Sequence, residues 1–188
     1  MVVAIRRMEP AELARLGEID RSEHVTSEYR WRNGALETHA VDVRVPPWAP
    51  SGDHEHTVAS RVAAWTPWLD HGGTLLGAFD GDALVGIAIY RPRIAPATAN
   101  LALLHVSRSH RRRGVGARLA EEVARLAHEG GARRLYVSAT PSVSTVEFYR
   151  RCGFEPTGEP DPALFALEPE DIHMVRELDA NASPNRAP

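Results

Sequence analysis

The chain contains no lysine: all 22 of its basic residues are arginine. A P-loop is therefore excluded, because its Gly-x-x-x-x-Gly-Lys-Ser/Thr pattern needs a lysine. No lysine side chain is available for acylation of the protein itself. Cysteine occurs once, at Cys152, so no disulfide can close within the chain and a reducing compartment is expected. No apolar run approaches the ~18 residues of a membrane span. The first residues hold no apolar core of a secretory signal. A cytoplasmic location without a membrane partner is the expectation. The formal net charge is −3, and no aromatic residues interleave with the arginines between Arg108 and Arg113, which argues against a nucleic-acid partner. Asp53-His54-Glu55-His56 has ligand-type residues, but it is one short cluster with no second group at a recognisable spacing. It reads as a solvated loop, and no metal is expected.

At 188 residues the chain can bury a real core. One domain is expected over residues 1–178, with an insert at about 23–56 and a disordered tail over 179–188. A short strand from Val2 to Arg6 precedes a helix opened by Glu9-Pro10. Residues 20–29 are polar and mixed. Asn33-Gly34 is the best hairpin signal and predicts a ribbon from about Glu28 to Val45. Thr57 to His71 reads as a helix that Pro67 should kink or shorten. Thr74–Phe79 and Leu84–Arg91 read as strands joined at Asp80-Gly81-Asp82. A turn is expected over Pro92–Pro96, and a third strand returns to Val106. A strong helix is predicted from Gly114 to Glu129, then a strand over Leu135–Ala139. A short helix carrying Tyr149, a proline-broken linker over Glu155–Pro162 and a last strand over Ile172–Leu178 complete the chain. Strands that first meander and then alternate with helices imply an α/β fold, a mixed sheet with helices on its faces.

The most informative stretch runs from Leu103 to Leu119. An apolar strand ends at Val106 and a basic turn follows. An amphipathic helix then starts, with Val115, Leu119, Val123 and Leu126 on one face. Gly114 and Gly116 at its mouth let a ligand approach the backbone. The first helical N–H groups lack intrahelical partners and carry the positive end of the dipole, so the place suits an anion and most naturally a diphosphate. A dinucleotide fingerprint would need a third glycine, which is missing. The pattern present, Arg111-x-x-Gly114-x-Gly116, resembles the acetyl-CoA pyrophosphate motif of the GNAT superfamily of N-acetyltransferases. A second stretch, Ser138 to Phe154, resembles that family's later motif, with Phe148-Tyr149 and Gly153-Phe154 matching in type and spacing. Ser142 stands where the family often has an asparagine, and Thr145 where it often has alanine. The resemblance covers about Thr74 to Leu178.

The resemblance implies a GNAT-like fold, a central mixed sheet whose strands ending at Val106 and Ala139 splay apart for acetyl-CoA. Its diphosphate would meet backbone N–H groups of Arg113, Gly114, Val115, Gly116 and Ala117, with Arg111, Arg112 and Arg113 adding charge and Ser142 near the later motif. Backbone at Leu104 and Val106 would pair with the pantetheine amides. Tyr149 would be the general acid that protonates the departing thiolate, and Cys152 is expected to be inert packing. The base is not legible: Asp20, Glu23, His24 and Glu28 after the first helix are candidates, and deprotonation through water or bulk solvent is equally open. Side chains alternate faces along the strand, so Asn100, Ala102 and Leu104 share the face of Val106, where the resemblance would put a strand-borne base, and only Asn100 could orient a water. His105 then falls on the opposite face as a packed histidine. Glu23, His24, Glu28, Tyr29 and Trp31 are the candidate acceptor-binding residues, since loops on a rigid scaffold carry recognition. The same insert could instead serve as a structural cover or as a homodimer contact. The implied activity is direct transfer of an acetyl group from acetyl-CoA to a small-molecule amine or a peptide N-terminus. A non-catalytic acyl-CoA sensor of the same fold is the alternative.

Overall fold

A computed structural model describes residues 3–52 and 56–178. A seven-stranded mixed sheet carries the fold, in the order β1-β4-β5-β6-β7-β9-β8, and a separate two-stranded ribbon, β2-β3, stands beside it. β1 (Ala4–Met8) is an edge strand paired with β4 (Thr74–Asp80). β5 (Ala83–Ala95) and β6 (Thr98–Val106) continue the antiparallel meander. β7 (Arg134–Ala139) then pairs parallel to β6, and β9 (Ile172–Glu177) antiparallel to β7. β8 is the two-residue strand Glu155–Pro156.

Two helical layers cover the sheet. On one face lie α2 (Val115–Glu129) and α3 (Val143–Arg151), whose Leu119, Val123, Val146 and Tyr149 join Leu76, Ala88, Leu101 and Val137 in one core. Each fully buried Leu or Val there contributes about 1.5–3 kcal/mol relative to exposure. On the other face a 3-10 helix (Pro10–Glu18) and α1 (Val58–Asp70) bury Leu13, Leu16, Trp65 and Leu69 against Leu75, Ile87, Ile89 and Leu103.

The expected meander and the helix–strand alternation are present, and several details differ. The ribbon is longer than its turn suggested: β2 spans Glu23–Arg32 and β3 Ala35–Val45, so Glu23 already pairs with Val45. α1 runs through Pro67 to Asp70, its last turn closing when the His71 N–H donates to the Pro67 carbonyl. β5 continues past Pro92 because that proline falls in an irregular stretch between Arg91 and Ala95, where no ladder N–H is required. The presumed linker before β9 contains α4 (Pro162–Leu167), whose N-cap Asp161 accepts from the N–H groups of Ala163 and Leu164. Asp53, His54 and Glu55, expected in a solvated loop, and the tail over 179–188, expected to be disordered, lie outside the described residues. Among the described residues no helix is long and apolar enough to cross a membrane.

One irregularity decides the geometry of the site. Ile89 pairs with Leu103 and the next residue, Tyr90, pairs with Leu101, so Ala102 is an extra residue bulged out of β6. Simple alternation is broken there.

Candidate active site

β6 and β7 pair only from Thr98–Arg134 to Asn100–Tyr136. Beyond that the two parallel strands fork, and β6 from Leu101 to Val106 has no ladder with β7. A strand edge of this kind offers peptide N–H and C=O groups to an extended ligand.

The tip of β6 is held in place by the chain leaving the 3-10 helix. The Ser107 N–H donates to the Val85 carbonyl at 2.8 Å, and the Arg108 N–H to the Asp20 carbonyl at 2.9 Å. Ser107 Oγ accepts from the Asp20 N–H at 3.1 Å. The turn that follows puts Arg112 at φ 60° and Gly114 at φ 79°. The left-handed region suits glycine, whereas an arginine held there is unusual and typical of functional turns. The first intrahelical bond is Arg118 N–H to Gly114 O at 3.0 Å. The N–H groups of Val115, Gly116 and Ala117 therefore have no acceptor within the helix. Beside them the turn is open, since a Cβ on Gly114 would meet nothing within 4 Å. An anion fits this helix end by donor geometry and by dipole.

Gly116 has a different role from the one expected. A Cβ there would come within 3.2 Å of Phe148 and 3.5 Å of Val106. Its lack of a side chain lets α2 pack closely on α3. The three arginines also divide. Arg111 turns inward, and its guanidinium donates to the carbonyls of Val106 (3.1 Å), Ser22 (3.3 Å) and Arg21 (2.9 Å) and pairs with Glu23 at 3.2 Å. Its side chain clamps the β2 approach to the tip of β6 and is not free to meet a phosphate. Arg112 and Arg113 are exposed beside the helix end, and no described residue bonds to their side chains.

α3 follows β7 through a short turn. Ser142 is its N-cap: its hydroxyl accepts from the Thr145 N–H at 3.3 Å and donates to Thr145 Oγ1 at 2.8 Å. Capping thus occupies the hydroxyl that sequence reasoning assigned to the cofactor. Tyr149 is 5% exposed, flanked edge-on by Phe148 and Phe154. Its hydroxyl makes no hydrogen bond to a described residue. Burial, together with the charges of Cys152 and Asp171, pushes the phenol well above its ordinary value, so it keeps its proton. Burial likewise pushes the Cys152 thiol up, which suits packing and not nucleophilic attack.

Asn100 requires a correction. Because Ala102 bulges, Leu101 and Ala99 share the α2 side with Leu104 and Val106, and Asn100 does not. Asn100 is 2% exposed, and its Nδ2 donates to the Tyr136 carbonyl at 3.1 Å, where the strands part. It stands at the crotch of the fork, not on the face assigned by alternation. His105 lies opposite α2 as expected, edge-on to Trp48 at 5.2 Å. Burial first, then the charges of Arg21, Arg111 and Arg61, hold it down at about 4, so it is neutral.

The ribbon brings some of its candidate residues to the site and not others. β2 crosses from the tip of β6 to the start of α3. Glu23 holds Arg111 with one oxygen and Ser144 Oγ, at 2.8 Å, with the other. The Tyr29 N–H donates to the Pro141 carbonyl at 2.7 Å and its hydroxyl to Glu147 at 3.1 Å, while Glu28 bridges Ser142. His24 instead pairs with exposed Asp42 at 2.6 Å, and Trp31 sits exposed opposite Leu36 near the ribbon's turn.

One titratable group was missed altogether. Asp171 stands one residue before β9, whose Ile172 pairs with Ala139 at the tip of β7. Burial first, then the Glu168 charge, pushes its carboxyl up to about 7. Nothing in the local sequence signals this burial. Among the described residues no group of three His, Cys, Asp or Glu could hold a metal ion.

The geometry has counterparts in solved structures. Nourseothricin acetyltransferase is 21% identical over 95% of this chain and all of its own, with a TM-score of 0.70. A putative streptothricin acetyltransferase from Bacillus anthracis, solved with acetyl coenzyme A, is 19% identical over 95% of this chain and 100% of its own, at 0.67. The PaiA N-acetyltransferase of Thermoplasma acidophilum, solved with coenzyme A, is 17% identical over 94% and 99%, at 0.60. These likenesses establish the fold. No curated protein matches the chain. The sequence model of the acetyltransferase (GNAT) family matches residues 35–154, which takes in the fork, the turn before α2 and the Tyr149 helix. The chain belongs to the acetyltransferase (GNAT) family, whose co-substrate is acetyl-CoA.

Proposed function

We propose that this acetyltransferase is an N-acetyltransferase that moves the acetyl group from acetyl-CoA directly to a primary amine, and that it works in the cytoplasm. The observation that carries the reading is the open helix end at Gly114 beside the unpaired edge of β6. Val115, Gly116 and Ala117 donate their free N–H groups to the diphosphate, with Arg112 and Arg113 supplying charge from the rim. Leu104 and Val106 present backbone to the pantetheine arm along the fork. The Val106 carbonyl is already bonded to Arg111, so the edge groups left for the ligand are its N–H and the backbone of Leu104.

Tyr149 is the acid. Its phenol keeps its proton across the working pH range and offers it to the sulfur as the C–S bond breaks. Glu23, Glu28 and Tyr29 wall the mouth of the fork, and their two carboxylates favour a cationic acceptor. Candidate acceptors are a small amine, an aminoglycoside-like or streptothricin-like compound, or a peptide N-terminus.

The test is thiol release from acetyl-CoA across a panel of those amines, with wild type and Tyr149→Phe in parallel. We expect amine-dependent release in wild type and a kcat about 10²–10⁴-fold lower in the variant, with acetyl-CoA binding unchanged. Binding of acetyl-CoA with no amine-dependent release by either protein would instead mark an acyl-CoA sensor.

A further inference from the structure

β6 and β7 part at one end of their ladder. At the crotch, Asn100 Nδ2 donates to the Tyr136 carbonyl at 3.1 Å, at the last paired position. From there β6 runs on to Val106, about 20 Å at ~3.3 Å per residue, with no ladder to β7. Apolar packing is non-directional, whereas a hydrogen bond to an ionised group fixes both length and angle. A polar tie at the open end would set the width of such a fork where the ladder does not.

The chain from Asp20 to Tyr29 crosses that open end. On the β6 side, the Asp20 carbonyl accepts from the Arg108 N–H, and Arg111 joins the carbonyls of Arg21 and Ser22 to that of Val106 at the strand's tip. On the other side, the Tyr29 N–H donates to the Pro141 carbonyl and Glu28 bridges Ser142, both in the turn between β7 and α3. The Glu23 side chain reaches both arms at once. Its Oε2 accepts from Arg111 Nη1 at 3.2 Å, and its Oε1 accepts from Ser144 Oγ at 2.8 Å. These partners lie 88 and 121 positions away in the chain, so the carboxylate joins segments that only folding brings together. Val106, Arg111, Glu23 and Ser144 thus form one hydrogen-bonded chain from the tip of β6 to the start of α3.

We propose that Glu23 is a positioning residue that ties α3 to the tip of β6 and so holds the Tyr149 hydroxyl in place over a thioester lying on the β6 edge. The inference rests on the transferase reading above. Ser144 sits in the first turn of α3 and Tyr149 in its last. A helix this short moves as one body, so a shift at Ser144 carries the phenol with it. Tyr149 has no hydrogen bond of its own to a described residue, and its direction is set by the helix that bears it and by the rings of Phe148 and Phe154. In this role the Glu23 carboxylate spends one oxygen on each arm of the fork. It acts on the reaction through Tyr149 and not through the acceptor.

The experiment compares Ser144→Ala, Glu23→Ala, the double variant and Glu23→Gln with wild type. The readout is the single-turnover rate of acetyl transfer to an amine that wild type acetylates, which product release cannot mask. Ser144→Ala cuts the link to α3 and leaves the Arg111 pair intact. Its side chain is exposed, so Tm should hardly move. Ser144→Ala and Glu23→Ala should each slow transfer about tenfold at saturating amine, a displacement of a full ångström being able to cost ~10²-fold. Acetyl-CoA affinity and the amine concentration for half-maximal rate should match wild type. The double variant should be no slower than Glu23→Ala, because both changes break one tie. Glu23→Gln should recover most of the rate, since its amide oxygen can accept from Arg111 while its NH2 donates to Ser144 Oγ. A wild-type rate in Ser144→Ala overturns the inference, as do losses that multiply in the double variant. So does a Glu23→Ala enzyme that needs more amine but keeps its maximal rate, the mark of an acceptor contact. Each of these leaves the transferase reading standing. A wild type that binds acetyl-CoA but acetylates no amine defeats that reading, and the role of the tie falls with it.

Discussion

Arg111 offers the sharpest test of how the diphosphate turn is built. Its position in the motif suggests a phosphate contact, whereas the structure gives its guanidinium four protein partners. Arg111→Ala leaves three carbonyls, on Val106, Arg21 and Ser22, without their charged donor. Partly exposed carbonyls regain some water, so each costs about 1 kcal/mol, below the ~1.5–3 kcal/mol of fully desolvated bonds to charged groups. The pair with Glu23, about 30% exposed on each side, adds at most ~1 kcal/mol. The total is about 3–4 kcal/mol, the carbonyls making up about 3 of it, and in a chain of this size each kcal/mol moves Tm by about 2–4 °C. Differential scanning calorimetry should therefore show a fall of roughly 6–16 °C. Arg112→Ala and Arg113→Ala, with exposed side chains, should stay within about 0.5 kcal/mol of wild type. If Arg111→Ala melts like wild type and instead weakens acetyl-CoA binding more than tenfold, the clamp is refuted and the side chain belongs to the ligand.

Two further perturbations follow from the same geometry. Gly116→Ala should cost about 1–3 kcal/mol by overpacking against Phe148, read as a lower Tm. Gly114→Ala should cost about 1–2 kcal/mol for its left-handed φ, read as a lower Tm. His105 should make the fold acid-sensitive. In the unfolded chain it titrates at its ordinary 6.5, and in the folded chain at about 4. Between those values the unfolded state holds a proton that the folded state refuses. Stability present at neutral pH is lost as pH falls through that window, by up to about 1.4 kcal/mol per pH unit from this one group. Urea unfolding at pH 7 and pH 5 should show that slope in wild type and a shallower one in His105→Phe.

The parts of the fold written in local patterns were legible. The apolar run to Val106, the glycine at position 114 and the helical spacing of Val115, Leu119 and Val123 place the strand, turn and helix of the site. Asn33-Gly34 likewise marks the ribbon's turn. What stayed hidden depends on contacts between distant segments. The bulge at Ala102 exists because Ile89 and Tyr90 of β5 pair around it, and that one residue moves Asn100 to the other face. Arg111 turns inward because folding brings the carbonyls of residues 21 and 22 to it. The near-neutral acidity of Asp171 comes from burial first and the Glu168 charge second, and burial is set by the folded chain. One feature was readable and passed over. Asp161-Pro162 is an N-cap followed by proline at the first helical position, which announces α4.

The central claim is that peptide amides at the start of α2 hold the diphosphate of acetyl-CoA. Its most direct test is a crystal structure of the protein grown with acetyl-CoA. The claim predicts diphosphate oxygens within hydrogen-bonding distance of the N–H groups of Val115, Gly116 and Ala117, with the pantetheine arm between β6 and β7. A diphosphate bound elsewhere, with those amides facing only solvent, would contradict it.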